Sequence, residues 1–442
     1  MKRWSRVGPL VLIGVVAIFV VAATIVIKRE ALGVNRVTLF SHQPATLPST
    51  SASALPSPTV TPVSSATPTP TPTATSVAAP ATPGASAGAS AGGGEAVLLG
   101  PSAVGPHRHV VSIVTAAGTV IASAEGADRS ARVAGGTQLP MVSASQGTVY
   151  FLDGDGLVRF LRPNGQTGVA ARVGGTDQVH AAFAVSPDDW RIAVSTIDYS
   201  TNPPRLRLDV QDLNGAHSSE ILTSTSTYLW PVGWHAGNLV LAVGDAFPTT
   251  DTHFGSEYEF CDATFGPCVA DNPYGATHGY RVIDPTNGTI VATLASGDCP
   301  AIGLLTPVGT VCRTGHPAAG LITPTQECRV DLTFCLRLVD WTGGITEWTT
   351  IATVWVGAIA PDGSGMAACC NVDAINLYDS RSAGASSVFI RKSAWPLAFL
   401  DPFHLLYRPF GVQGVHVIGT NGSGDVPLVA PGSPVASLPG GF

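Results

Sequence analysis

Lysine is nearly missing from the body of this chain. After residue 43 there is one, Lys392, and charged side chains of both signs make up only 12% of the 442 residues. Positive charge gathers at the start. Lys2, Arg3, Arg6, Lys28, Arg29 and Arg36 against Glu30 leave residues 1–43 at +5, so the remainder holds −12 within a net charge of −7. Nucleic acid is gripped by clustered Lys and Arg, so an acidic body argues against it as a partner. No cysteine precedes Cys261, which removes a lipid-anchoring thiol near the start. No HExxH, phosphate-loop, CxxC or haem-type CxxCH pattern occurs, so metalloprotease, nucleotide-hydrolysing, thioredoxin-like and haem chemistry have no local signature. Beyond residue 40 no long stretch has helical periodicity.

What is present begins with residues 8–27, GPLVLIGVVAIFVVAATIVI, an uncharged and mostly apolar run. As a helix it would span the ~30 Å hydrocarbon core of a bilayer. A cleaved secretory signal has a shorter apolar region and a small-residue cleavage site. Here the run stops at Lys28-Arg29. The expectation is an uncleaved signal anchor, with residues 1–7 in the cytoplasm and a single pass through the cell membrane. Basic residues flank both ends, so the downstream segments set the orientation. Residues 28–94 form the stalk, and from 43 onward they carry no charge and are mostly Ser, Thr, Ala, Pro and Gly. Such a segment buries too little apolar surface to offset its ordering entropy, so a disordered spacer is expected. Its Pro-Thr part should be extended and its Gly-Ala-Ser part flexible.

The body, residues 95–442, reads as all-β. With 49 Gly and 35 Pro, turns are plentiful. A unit recurs from about residue 139, clearest in HAAFAVSPDDWRIAVSTIDY (180–199). One strand (181–185), a Ser186-Pro187-Asp188-Asp189 turn and a second strand (191–197) are followed by RLRLDVQDL (205–213), Asn214-Gly215 and SSEIL (218–222). Asn164-Gly165, Asn287-Gly288 and Asn421-Gly422 fall at the same place in other units. Asn-Gly between alternating runs is a strong hairpin signal, read here as a turn with both residues at positive φ. Four-stranded units repeated every 40–70 residues or so predict a β-propeller. Six full units are countable, and strands at 109–115 and 118–123 supply part of a seventh blade or a closing strand. A pair of β-sandwiches is the competing architecture. The SPDD turn and its counterpart in APDGSGMAACC (360–370) resemble the WD-like repeats of TolB-type bacterial propellers. That resemblance covers about 139–431 and implies a fold, not an activity.

In a propeller the second-to-third-strand loops and the links between blades open on one face. Mapped onto that scheme, Cys261, Cys268, Cys299, Cys312, Cys328, Cys335, Cys369 and Cys370 gather near this face across three consecutive blades. An exported chain would hold them as disulfides. Closeness in sequence suggests Cys261–Cys268, Cys299–Cys312 and Cys328–Cys335, each worth up to ~3 kcal/mol on the chain-entropy account. Cys369 and Cys370 form either a strained vicinal bridge or separate bridges or thiols. Zinc is disfavoured by the missing CxxC and His pairs. The insert at 245–275 places Asp251, Glu257, Glu259, Asp262 and Asp271 among Phe and Tyr, and these acids are the candidate ligand-binding residues, with calcium as a minor alternative there. LDGDG (152–156) has the composition of a calcium loop, though such runs are more often turns.

Three functions stay open. The first is a membrane-tethered extracytoplasmic binding module, taking a protein, peptide or glycan on the cysteine-bearing face, with no cofactor and no catalytic residues. The second is a glycan-acting propeller enzyme with acidic residues near the channel mouth. The third is a structural part of the cell envelope. A pair of carboxylates ~5–9.5 Å apart in a cleft would favour the second.

Overall fold

The computed structural model describes residues 94–105, 107–129, 141–244, 279–295, 301–314, 334–351, 356–369, 374–379, 388–392, 394–409 and 414–442. The expected anchor and stalk lie outside these residues. Among the described residues no helix is long and apolar enough to cross a membrane.

The strands form seven four-stranded antiparallel sheets. Six sheets run in simple chain order from inner to outer strand. Their inner strands are Val142–Ala144, Val179–Val185, Tyr228–His235, Ala301–Thr306, Val356–Ile359 and Ala394–Asp401. The seventh combines the two ends of the body. Glu95–Pro101, Arg108–Thr115 and Val120–Ala127 supply its outer three strands, and Ser433–Leu438 returns to pair with Glu95–Pro101 as the inner one. We number this sheet blade 1 and the others blades 2 to 7. The blades number seven, and of the two alternatives for 109–115 and 118–123 the first holds: they are part of the additional blade, falling in its third and fourth strands, and not a closing strand. The closing strand is Ser433–Leu438, a short run interrupted by proline that sequence pattern alone did not mark.

The core lies between blades. Val97, Val111 and Ile113 of blade 1 pack on Val149 and Phe151 of blade 2. Tyr150 and Leu152, the intervening residues, pack on Phe183 and Ile192 of blade 3. Further clusters join blades 3, 4 and 5, blades 5 and 6, blades 6 and 7, and blades 7 and 1. Val149–Leu152 is thus a continuous apolar run because alternate side chains serve two interfaces. The outer strands alternate more openly, as in Thr167–Arg172, where exposed and partly buried positions interleave. Radial repetition leaves only short strand edges, the inner ones turned toward the channel, which is how propellers limit edge-to-edge association.

Turn chemistry repeats as the fold does. Asp189 and Gly363 occupy the same position of the SPDD and APDG turns, at φ 60° and 68°. In both, the fourth residue's N–H donates to the carbonyl of the first, Ser186 or Ala360. In the Asn-Gly turns only the glycines take positive φ, at 82°, 84°, 73° and 83° for Gly165, Gly215, Gly288 and Gly422. The expectation that both residues would do so is corrected. Each Asn instead accepts, through Oδ1, the N–H two residues on, at Gln166, Ala216, Thr289 and Ser423. That side-chain bond stabilises an ordinary right-handed conformation at Asn and leaves positive φ to Gly.

Candidate binding face

The two ends of the propeller differ. One, the turn end, carries the first-to-second and third-to-fourth turns. The other, the loop end, carries the second-to-third loops and the links between blades. At the turn end, residues 439–442 leave the inner strand of blade 1 and pass the neighbouring blades in turn. Gly440 donates to the Ser145 carbonyl of blade 2 at 2.7 Å. Gly441 (φ 89°) lies so near Pro187 of blade 3 that a Cβ would come within 2.9 Å of its ring. Phe442 donates its N–H to the Trp234 carbonyl at 3.0 Å, and its own carbonyl meets His235 Nδ1 at 2.7 Å in blade 4. The Phe442 ring stacks on Trp341 of blade 5 at 5.4 Å, and Trp341 stacks on His235 at 4.2 Å. This segment therefore follows the turn end from blade 1 to blade 5.

At the loop end the inner strands begin. His180 and Tyr228 start the inner strands of blades 3 and 4, and Tyr199 follows the second strand of blade 3. The Tyr199 and Tyr228 hydroxyls lie 3.3 Å apart. His180 meets the Tyr199 ring edge-on at 5.2 Å, and Tyr228 leans on Trp230 at 4.9 Å. Arg129, in the link from blade 1 to blade 2, reaches over to donate to the Ala181 carbonyl at 2.6 Å. His180, Tyr228 and Trp230 are buried, and Tyr199 and Arg129 are partly buried. Burial raises the Tyr199 pKa, against the opposing pulls of the Tyr228 hydroxyl and Arg129. A neutral phenol beside a fixed guanidinium is a donor surface suited to polar or anionic groups.

Three carboxylates of this end are committed to the fold. Asp128 meets His109 Nδ1 at 3.1 Å. Asp153 accepts the Ala127 N–H at 2.6 Å and faces Arg159 at 3.5 Å. Asp198 accepts the Ser200 N–H and hydroxyl at 2.8 and 2.6 Å. LDGDG thus uses its first aspartate to tie blade 2 to blade 1. No group of His, Cys, Asp or Glu arranged to hold a metal ion occurs among the described residues.

The insert emerges at this same end, since Val243 pairs with Gly279 where it leaves and returns. Asp251, Glu257, Glu259, Asp262 and Asp271 themselves lie outside the described residues, as do Cys261, Cys268, Cys299, Cys328 and Cys370. Cys312 is fully buried and disulfide-bonded. Backbone register puts Cys312 opposite Ala301, Cys335 opposite Thr314 and Cys369 opposite Val356, all toward the loop end. The suggested pairings and the vicinal bridge involve residues outside the described ones. Tyr199, Tyr228, His180 and Arg129 did not figure among the sequence candidates. Each sits in an ordinary strand or link, and only ring closure brings them together.

No protein-family model matches the chain, and no curated protein matches it. Solved structures similar to it include an oligogalacturonate lyase in complex with manganese (11% identity over 64% of this chain and 71% of that one, TM-score 0.40). An oligogalacturonate lyase from Vibrio parahaemolyticus gives 9% identity, coverages of 70% and 82% and a TM-score of 0.42. Citrobacter koseri AztD gives 11%, 78% and 97%, and 0.38. Likenesses this low carry no weight of their own. The propeller rests on the strand pairing of the chain itself.

Proposed function

We propose that this protein is an extracytoplasmic binding module, tethered by residues 8–27, that takes its ligand on the loop end of the propeller. The observation that carries this is the difference between the two mouths. Residues 439–442 occupy the rim of one from blade 1 to blade 5, and the other carries Tyr199 and Arg129 beside His180, Tyr228 and Trp230. Few, fixed polar groups beside aromatic side chains are the usual lining of a ligand site. The commitment of Asp128, Asp153 and Asp198 to structural bonds favours binding over acid–base chemistry at this surface. The ligand is a protein, peptide or glycan segment.

The test is a screen of the full-length chain against peptide and glycan libraries, followed by substitution. Tyr199→Ala should weaken a captured ligand at least tenfold, and Trp190→Ala, at the exposed turn end, should leave it unchanged. Loss of binding through Trp190→Ala with Tyr199→Ala silent would place the site at the wrong end and overturn the reading.

A further inference from the structure

Residues 440–442 lie along the turn end as a bound peptide would, and successive residues meet successive blades. Gly440 gives its N–H to the Ser145 carbonyl of blade 2, Gly441 passes Pro187 of blade 3, and Phe442 reaches blade 4. The first two steps have no room for side chains. A Cβ on Gly440 would come within 2.3 Å of the Ala144 carbonyl oxygen, and one on Gly441 within 2.9 Å of the Pro187 ring. The third step accommodates a ring. The Trp234 carbonyl accepts the Phe442 N–H at 3.0 Å, and His235 Nδ1 donates to the Phe442 carbonyl at 2.7 Å. The ring itself lies over Gly233, where a Cβ would come within 2.3 Å of it. Trp341 forms the wall, 5.4 Å away and 20° from parallel.

The wall of this slot is held by groups other than Phe442. Trp341 Nε1 donates to the Thr306 and Pro307 carbonyls at 3.1 Å each, and its ring stacks on His235 at 4.2 Å and 8°. The track reaches solvent along its length, since Pro439 is exposed and Gly440, Gly441 and Phe442 are partly exposed. An aromatic stack and a few hydrogen bonds at the rim hold the segment, and its two glycines add no side-chain packing. Segments of that kind open locally at far lower cost than core strands.

We propose that this track is a second binding site, for a peptide segment of another protein that carries two glycines followed by an aromatic residue, and that residues 440–442 close it as a tethered competitor. Main-chain hydrogen bonds give such a segment its affinity, and the ring slot and the two crowded glycine positions give it selectivity. A short tether presents Phe442 at an effective concentration of about millimolar, so the incoming segment binds fully only where this one has left. The site is separate from the loop end and does not rest on the reading of that face.

The experiment titrates N-acetyl-Gly-Gly-Phe-amide into the full-length chain and into a chain lacking residues 440–442, following Trp fluorescence and melting temperature. The shortened chain should bind the peptide at least tenfold more tightly than wild type and melt higher with it. Ala-Ala-Phe and Gly-Gly-Ala peptides should bind the shortened chain at least tenfold more weakly, and Trp341→Leu should weaken Gly-Gly-Phe by the same factor. Tyr199→Ala, at the loop end, should change nothing here. A shortened chain that melts cooperatively and ignores the peptide would overturn the proposal. Phe442→Ala keeps the segment and empties only the ring slot, so toluene should raise the melting temperature of this variant and not that of wild type. No rise would overturn the proposal even where the shortened chain fails to fold. In wild type, amide hydrogen exchange reads the closing segment. The Gly440 and Phe442 N–H groups should exchange faster than those of Val179–Val185, and protection equal to that strand would make 440–442 a fixed part of the fold and end the proposal.

Discussion

Asp189 shows how one side chain serves two levels of structure. It adopts positive φ, which costs most residues about 1 kcal/mol but is tolerated by Asp. Its carboxylate also accepts the buried Tyr150 hydroxyl of blade 2 at 2.8 Å. Asp189→Asn should keep both properties, Asp189→Gly only the backbone, and Asp189→Ala neither. Urea unfolding should rank them in that order, with Asp189→Ala about 2 kcal/mol below wild type, because it strands a buried hydroxyl. Titration follows from the same contacts. Burial, and then the Asp189 carboxylate, push the Tyr150 phenol well above its ordinary value. The neutral form is favoured by the fold, so this stability is whole below about pH 10 and is lost as pH rises beyond it. Asp340 has the opposite sign. The Thr342 hydroxyl and the Gly344 N–H hold its carboxyl below the usual carboxylate range. That stability is present above about pH 4 and lost as pH falls through the folded value. Melting temperatures against pH should fall at both limits, and Tyr150→Phe should remove part of the alkaline fall. An alkaline fall unchanged in Tyr150→Phe would rule this phenol out as its source.

Among elements, the segment 439–442 carries the clearest consequence. Gly233 gives it room, since a Cβ there would come within 2.3 Å of the Phe442 ring. Gly233→Ala should therefore displace the ring, and Phe442→Ala should remove its stacking on Trp341. Each should cost about 1–2 kcal/mol, the scale of an aromatic pair with some area burial. Trp fluorescence should report the change, through Trp341 and Trp234. Invariant emission in both variants would mean that the segment does not sit at this mouth. The residues of strand and segment carried no hydrophobic period, so nothing in the pattern of 433–442 announced a strand or a run along the turn end. The inner and second strands were far more legible. Their apolar runs are long because both faces pack, whereas the outer strands, half in water, give only a weak alternation.

On the scale of the whole molecule, ring closure is the step on which the rest depends. Removing residues 430–442 would leave Glu95–Pro101 as an open inner edge and expose Val97 and Leu98. The expected outcome is loss of a single cooperative melt, with self-association through the new edge, seen by circular dichroism and size exclusion. A truncated chain that stays monomeric and melts as wild type would show that closure is not needed.

The sequence by itself determined the all-β class, the four-stranded repeat, the hairpin positions and the apolar alternation of the strands, because these depend on neighbours within about ten residues. It located six units and part of a seventh, and missed that blade's inner strand, which lies more than 300 residues from its outer strands. The acidic insert and most of the cysteines were legible as candidates only by composition. The candidate face was not legible. Tyr199, Tyr228, Arg129 and the Trp341 slot of Phe442 rest on ordinary residues in ordinary strands, turns and links. Only the closed ring sets the Arg129 guanidinium of one link against the Ala181 carbonyl of a later blade, because such contacts depend on which blades become neighbours and not on local pattern.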